Sequence, residues 1–156
     1  MNVINHMLHF ICLPFDQLSL RQLYEIMACR QAVFSVEQEC FYLDADGKDL
    51  SAWHLIGMDS QGRIAAYARL LPKGVAYPDY QSLGRVLTMD IARGTGAGKE
   101  LVRQALEQME RLFGEGPIKI AAQTYLIRFY GEFGFQGDGE EFLEDGIPHL
   151  HMIRKP

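Results

Sequence analysis

Arg93-Gly94-Thr95-Gly96-Ala97-Gly98 runs straight into Lys99-Glu100-Leu101-Val102-Arg103-Gln104-Ala105-Leu106, a glycine-rich turn followed by an amphipathic helix pattern. Glycine tolerates positive φ, so such a turn can curl with several N–H groups pointing inward, and the positive end of a helix dipole stands behind them. That combination suits a pyrophosphate. The glycine spacing narrows the choice. A dinucleotide fingerprint needs G-x-G-x-x-G, but counting from Gly94 and Gly96 puts Lys99 where the third glycine belongs. A Walker A loop needs glycine five places before Gly-Lys and Ser or Thr after it, where this chain has Arg93 and Glu100. What is left is Arg-x-x-Gly-x-Gly between a strand and a long helix, with a plain glycine-rich helix cap as the alternative.

Working outward, residues 118–122 form a short apolar, partly β-branched run after the breaker Gly116-Pro117 and read as a buried strand. Residues 126–133 read as a short helix ended by Gly134. With Tyr130-Gly131-Glu132-Phe133-Gly134-Phe135 the chain then resembles the GNAT N-acetyltransferase family twice over: once in the acetyl-coenzyme A loop, and again in a Tyr-x-x-x-Gly-Phe element. Gln123 stands seven residues before Tyr130, where members of that family often carry asparagine. The stretches 30–40, 42–49, 84–86 and 144–149 are similar to the ElaA-like branch, so the resemblance spans nearly the whole chain. One departure is Asp90, three residues before Arg93, where many GNAT proteins have proline.

The resemblance implies an α/β (α+β) fold in one domain over residues 1–156: a mixed, mostly antiparallel central sheet with splayed central strands, flanked by helices. It implies acetyl-coenzyme A as co-substrate, no metal, and direct transfer of acetyl to an amine. The backbone of Arg93, Gly94, Thr95, Gly96, Ala97, Gly98 and Lys99 would hold the pyrophosphate, with the Arg93 and Lys99 side chains adding charge near it. Leu87 and Thr88, on the splayed strand, would hydrogen-bond the pantetheine, with Gln123 nearby, and Tyr130 would protonate the departing sulfur. A tyrosine in a short helix is otherwise a core aromatic. The acceptor's base is left open among Glu37, Asp90 and His149. Arg30, Tyr67 and Arg69 are candidates for the acceptor pocket, against the plainer reading of arginines in surface ion pairs. Two other readings stay alive: a non-catalytic acyl-coenzyme A binding or sensing module, and a transferase for a longer acyl group.

With 156 residues, nearly half apolar, and no low-complexity tract, the chain is long enough for one well-filled core. A net charge of −5 disfavours a nucleic-acid surface and suits a cationic small-molecule or peptide amine, while a homodimer is left open. Cys12, Cys29 and Cys40 form no C-x-x-C pair, which fits a reducing compartment. Residues 1–15 lack a basic n-region and are broken by His9 and Pro14, so neither signal peptide nor membrane span is expected and the cytoplasm is the expected location. His149 and His151 share a strand face but have no third ligand at a diagnostic spacing. Asp44-x-Asp46-Gly47-x-Asp49 misses the EF-hand pattern, which needs glycine where Asp49 stands and glutamate where Leu55 stands.

The remaining elements follow from period and punctuation. Strands are expected at 8–13, 53–58, 64–71 and 83–89, with 53–58 and 64–71 joined through Asp59-Ser60-Gln61-Gly62. Ser19 and Gln22 form a capping box for a helix whose apolar face is Leu20, Leu23, Tyr24, Met27 and Ala28. Residues 37–49 read as a polar loop. In the long helix 96–113, Leu101, Ala105, Met109 and Leu112 should face inward and Glu107 should pair with Arg111. Residues 142–144 and 149–154 should close the chain as paired strands.

Overall fold

The computed structural model describes residues 7–156. Strand β1 (His9–Pro14) leads to α1 (Leu20–Arg30), and the capping box forms as expected: Gln22 N–H donates to Ser19 Oγ at 3.0 Å, and Ser19 N–H to Gln22 Oε1 at 2.8 Å. The helix continues into a wider π-helical turn, Gln31–Glu37, in which Gln38 N–H reaches back five residues to Val33 O. Strands β2 (Trp53–Met58), β3 (Ile64–Leu71) and β4 (Ser82–Thr88) complete an antiparallel sheet in the order β1-β2-β3-β4. The β2–β3 turn is tied by Asp59 Oδ1, which accepts from the N–H groups of Gln61 and Arg63, with Gly62 at φ 76°.

After α2 (Ala97–Phe113) come β5 (Ile118–Gln123), α3 (Ile127–Gly131), β6 (Phe135–Gly137), β7 (Phe142–Glu144) and β8 (Ile147–Arg154). These strands make a second sheet in which β8 lies between β5 and β6 and also pairs with β7. The expected α+β architecture with splayed central strands is what forms. Strand β6 at Phe135–Gly137 is not among the strands expected from the sequence. Sequence periodicity also misses that the closing strand is the middle of its sheet.

Two further expectations need correcting. On α1, Leu20 and Tyr24 are 88% and 77% exposed, and the inward line carries Ile26 and Arg30 instead. A pattern that scores hydrophobicity cannot place a buried arginine on the inner face. On α2, Leu101, Val102, Ala105 and Met109 are buried and Leu112 is half-buried, but Glu107 pairs with Arg103 at 3.1 Å. Arg111 donates to Gln108 at 2.6 Å instead of pairing with Glu107.

The two sheets meet at one end only. Gln81 and Ile118 form a single parallel bridge, with Gln81 N–H to Pro117 O at 3.2 Å and Lys119 N–H to Gln81 O at 2.9 Å. Ser82 Oγ adds a bond to Lys119 O at 2.7 Å. Beyond it, among the described residues, β4 and β5 share no ladder. One core, of Leu101, Val102, Ala105 and Met109 with Leu55, Leu70 and Ile120, lies under α2. A second packs Ile26, Val33 and Phe34 on Ile56, Tyr67 and Leu87 of the opposite face.

Candidate functional site: a cleft between two diverging strands

The glycine loop has the conformation its composition calls for. Gly94 and Gly96 stand at φ 77° and 84°, a region L side chains avoid, and a Cβ at either would point into open space. Gly96 caps α2 without any side-chain hydrogen bond. The first-turn N–H groups, of Ala97, Gly98 and Lys99, therefore have no acceptor within the helix. A bare helix start beneath two exposed glycines fits an anionic pyrophosphate.

The charged side chains of this loop sit in ion pairs. Arg93 donates from Nε and Nη2 to the Thr88 carbonyl at 3.1 and 2.9 Å, from Nη1 to Asp90 at 2.6 Å, and from Nη2 to Glu37 at 2.8 Å. Glu37 and Asp90 are thus brought together at the loop. Lys99 pairs with Glu132 at 3.0 Å.

The divergence of β4 from β5 opens a cavity of about 380 Å³. Its β4 wall is irregular. Tyr67 faces Leu87 but Arg69 faces Gly84, so β4 carries one residue more than β3 over this span, and Arg85 takes φ 50°. Such a bulge twists a strand and re-aims its groups. The lining includes Gly84, Arg85 and Val86 on β4, Ala122 and Gln123 on β5, Tyr130 on α3 and His149 on β8. Leu87 and Thr88 lie beyond it: Leu87 is buried against the Ile26 and Tyr67 core, and Thr88 holds Arg93 through its carbonyl.

Tyr130 is 6% exposed, with its ring edge-on to Phe129 and Phe135, and burial pushes its phenol well above the ordinary range. It keeps its proton at neutral pH. Gln123 Nε2 donates to Gln38 Oε1 at 3.2 Å, tying β5 to the segment that follows the π-helical turn.

The far wall holds what sequence reading missed. Residues 37–49 read as a polar loop, yet Asp44 and Asp49 are 7% exposed and three arginines converge on the stretch. Arg30, fully buried, donates from Nε to Asp44 at 2.8 Å and from Nη1 to Asp49 at 2.6 Å. Arg69 donates to both oxygens of Asp46, at 2.8 and 3.0 Å, and to Asp49 at 3.2 Å. Arg85 donates to Asp44 at 2.6 Å and lies over the Tyr42 ring, 5.5 Å from its centroid. Three cations and three anions compensate one another, as burial of charge requires. Burial alone would lower the Arg30 guanidinium, but hydrogen bonds to Asp49 and Asp44 hold it above the usual arginine value. Burial pushes the Asp46 carboxyl up, and Arg69 more than reverses this, leaving it at about 2.

Beneath the cluster, His54 Nε2 lies 3.0 Å from the Asp49 carbonyl and Nδ1 lies 2.7 Å from Tyr67 Oη. A carbonyl only accepts, so Nε2 carries the proton and Nδ1 receives the Tyr67 hydroxyl. Of the three residues considered for an acceptor pocket, then, Arg69 lines the cavity, while Arg30 and Tyr67 are fully buried and serve its support. Asp44, Asp46 and Asp49 show no local signature because their partners come from α1, β3 and β4.

Among the described residues, no three His, Cys, Asp or Glu side chains group as metal ligands, and no helix is long and apolar enough to cross a membrane. Cys12, Cys29 and Cys40 are free.

A bulged strand, β4, thus parts from β5 in a chain whose next helix is capped by glycine, and comparison with known proteins places this architecture in a family. The acetyltransferase (GNAT) domain matches residues 29–155. A UPF0039 protein of Synechocystis is 42% identical over 139 residues, covering 89% of this chain and 90% of that one. ElaA of Escherichia coli is 38% identical over 145 residues, covering 92% and 94%. Among solved structures, an acyl-CoA N-acyltransferase from Pseudomonas aeruginosa superposes with a TM-score of 0.88 at 39% identity, over 94% of this chain and 99% of that one. The crystal structure of Escherichia coli ElaA gives 0.88 at 36% identity, over 96% and 100%. The chain belongs to the GNAT acetyltransferase family, in the branch of the ElaA and UPF0039 proteins.

Proposed function

We propose that the protein is an acyl-coenzyme A-dependent N-acyltransferase that moves acetyl to an amine by direct transfer within a ternary complex. The observation that carries this reading is the gap between β4 and β5, lined by Tyr130, in a chain whose following helix α2 starts bare at Gly96. Acetyl-coenzyme A would supply an activated acyl carbon and a sulfur leaving group. The chain's part is to bind, orient and move protons. The N–H groups around Gly94, Gly96 and Lys99 would receive the pyrophosphate, and the unpaired edge of β4 beside the bulge offers backbone groups to an amide-bearing chain. Such groups aimed at the thioester oxygen would steady its developing charge. Tyr130, which lines the cavity and is nearly sealed from water, would be the group that protonates sulfur as it leaves.

About 380 Å³ must hold the acyl group and part of the acceptor together, which favours acetyl over long chains. The test is release of free thiol from acetyl-coenzyme A across a panel of amines, with binding followed in parallel by thermal shift. Saturable thiol release with at least one amine is expected. Coenzyme A binding without turnover would make the protein a binding or sensing module, and turnover only with longer thioesters would change the acyl group. No binding at all would remove the reading.

A further inference from the structure

His149 lies on β8 opposite Gln123 of β5, the last strand residue before the chain turns toward Tyr130. It is 8% exposed and faces the cavity. Its Nδ1 is 2.7 Å from the carbonyl oxygen of Ile147. That oxygen can only accept, so Nδ1 carries the proton and the neutral ring keeps its lone pair on Nε2. The ring is stacked on Phe142, centroids 5.8 Å apart and planes 25° apart, which holds its plane. Glu144 Oε2 stands 3.5 Å from Nε2, so a proton reaching that nitrogen meets a carboxylate.

The other two groups considered for the same task are engaged elsewhere. Glu37 and Asp90 both accept from Arg93 at the glycine loop, and neither lines the cavity. In the cavity wall the charges of Asp46, Arg69 and Arg85 are spent on one another. Of the three groups considered, only His149 lines the cavity, with its tautomer set by Ile147 and its basic Nε2 beside the Glu144 carboxylate.

We propose that His149 takes the proton from the acceptor amine, an assignment that rests on the acyl-transfer reading above. The ammonium N–H passes its proton to Nε2, and the freed lone pair forms the bond to the acyl carbon. As the carbon–sulfur bond breaks, its electron pair goes to sulfur, which receives the Tyr130 phenolic proton. The second proton, shed by nitrogen as the amide forms, restores the tyrosine, and His149 returns its own to water. The charged group that meets His149 is Glu144 on β7, with His151 two residues along β8 and Asp145 of the β7–β8 turn lining the same cavity. His151 stacks on the same Phe142, and burial followed by Lys119 lowers it.

His149→Gln keeps a side-chain N–H for Ile147 and removes the basic nitrogen. It should lower kcat/KM about a hundredfold at neutral pH, flatten the acid limb of the pH profile, and leave coenzyme A affinity unchanged. In His149→Ala, free imidazole should restore part of the rate. Nitrogen-15 NMR of the wild type, which needs no substrate, should show the Nδ1–H tautomer. An Nε2–H tautomer, or a His149→Gln enzyme with normal rate and normal acid limb, overturns the assignment. So does loss of activity together with coenzyme A affinity and without imidazole rescue, which would mark a structural role. A wild type that binds coenzyme A but acetylates no amine overturns the transfer reading itself, whatever the tautomer.

Discussion

The glycine loop and the arginine–aspartate cluster both contain arginines paired with carboxylates, but water reaches only one of them. Arg93 is 41% exposed at its side chain and its partners Glu37 and Asp90 are 39% and 83% exposed. Arg30 is 0% exposed, with Asp44 and Asp49 at 7% and 10%. Exposed pairs of the first kind contribute little and exchange partners at little cost, because water and salt already compete for them. Buried pairs of the second kind hold because separation would strand a charge in a poor solvent. On the reading proposed above, Arg93 would trade Glu37 and Asp90 for a phosphate at little cost, whereas the buried pairs of residues 44–49 are held in place by one another.

The widest separation between the two regions should appear on removing a cation. Arg30→Met leaves Asp44 and Asp49 buried with one fewer partner each and should cost about 3–5 kcal/mol in urea unfolding. A loss below about 1 kcal/mol would put the cluster in the same class as the exposed pair and break the comparison. Next in size, Tyr130→Phe should keep fold and coenzyme A affinity but lower turnover by about a hundredfold, as loss of a general acid does. The deficit should shrink at low pH, where solvent protonates sulfur more readily. Full activity at all pH values would leave Tyr130 as a packing aromatic.

Acid should act on the buried side. Asp46 is held at about 2 in the native state against about 3.9 for an unfolded aspartate, so between these values the unfolded chain binds more protons. Its contribution is present above about pH 4 and is lost as pH falls toward 2. Asp46→Asn should flatten the decline of stability over that window, and an unchanged acid titration of stability would contradict it. Smallest of all, Glu37→Gln at the exposed rim should change stability by less than about 1 kcal/mol, measured in the same urea series.

This contrast also governs what could be read in advance. The glycine loop is local: its residues are adjacent in sequence, and their conformational needs are visible in their types. The same holds for the capping box at Ser19 and Gln22 and for the β2–β3 turn. The cluster is assembled from α1, residues 44–49, β3 and β4, and nothing near Arg30 or Asp44 reveals that each buries the other. Arg30 even misdirects, since it stands on the inner face of α1 while apolar Leu20 and Tyr24 stand outside. The register that opens the cleft was legible only in part. Gly84-Arg85-Val86 resembles the ElaA-like branch in its residue types, but the extra residue in β4 is a fact of pairing.

The parting of β4 from β5 leaves two strand edges with unpaired backbone groups, and such edges are where one chain recruits another into aggregates. A flat, regular edge would offer a second molecule a template. Here Arg85 at φ 50° breaks the spacing of the β4 edge after a few residues, so an intruding strand cannot stay in step along it. The irregularity that opens the cavity therefore also spoils the β4 edge as a template, and deleting one residue of the bulge would give that edge a regular spacing.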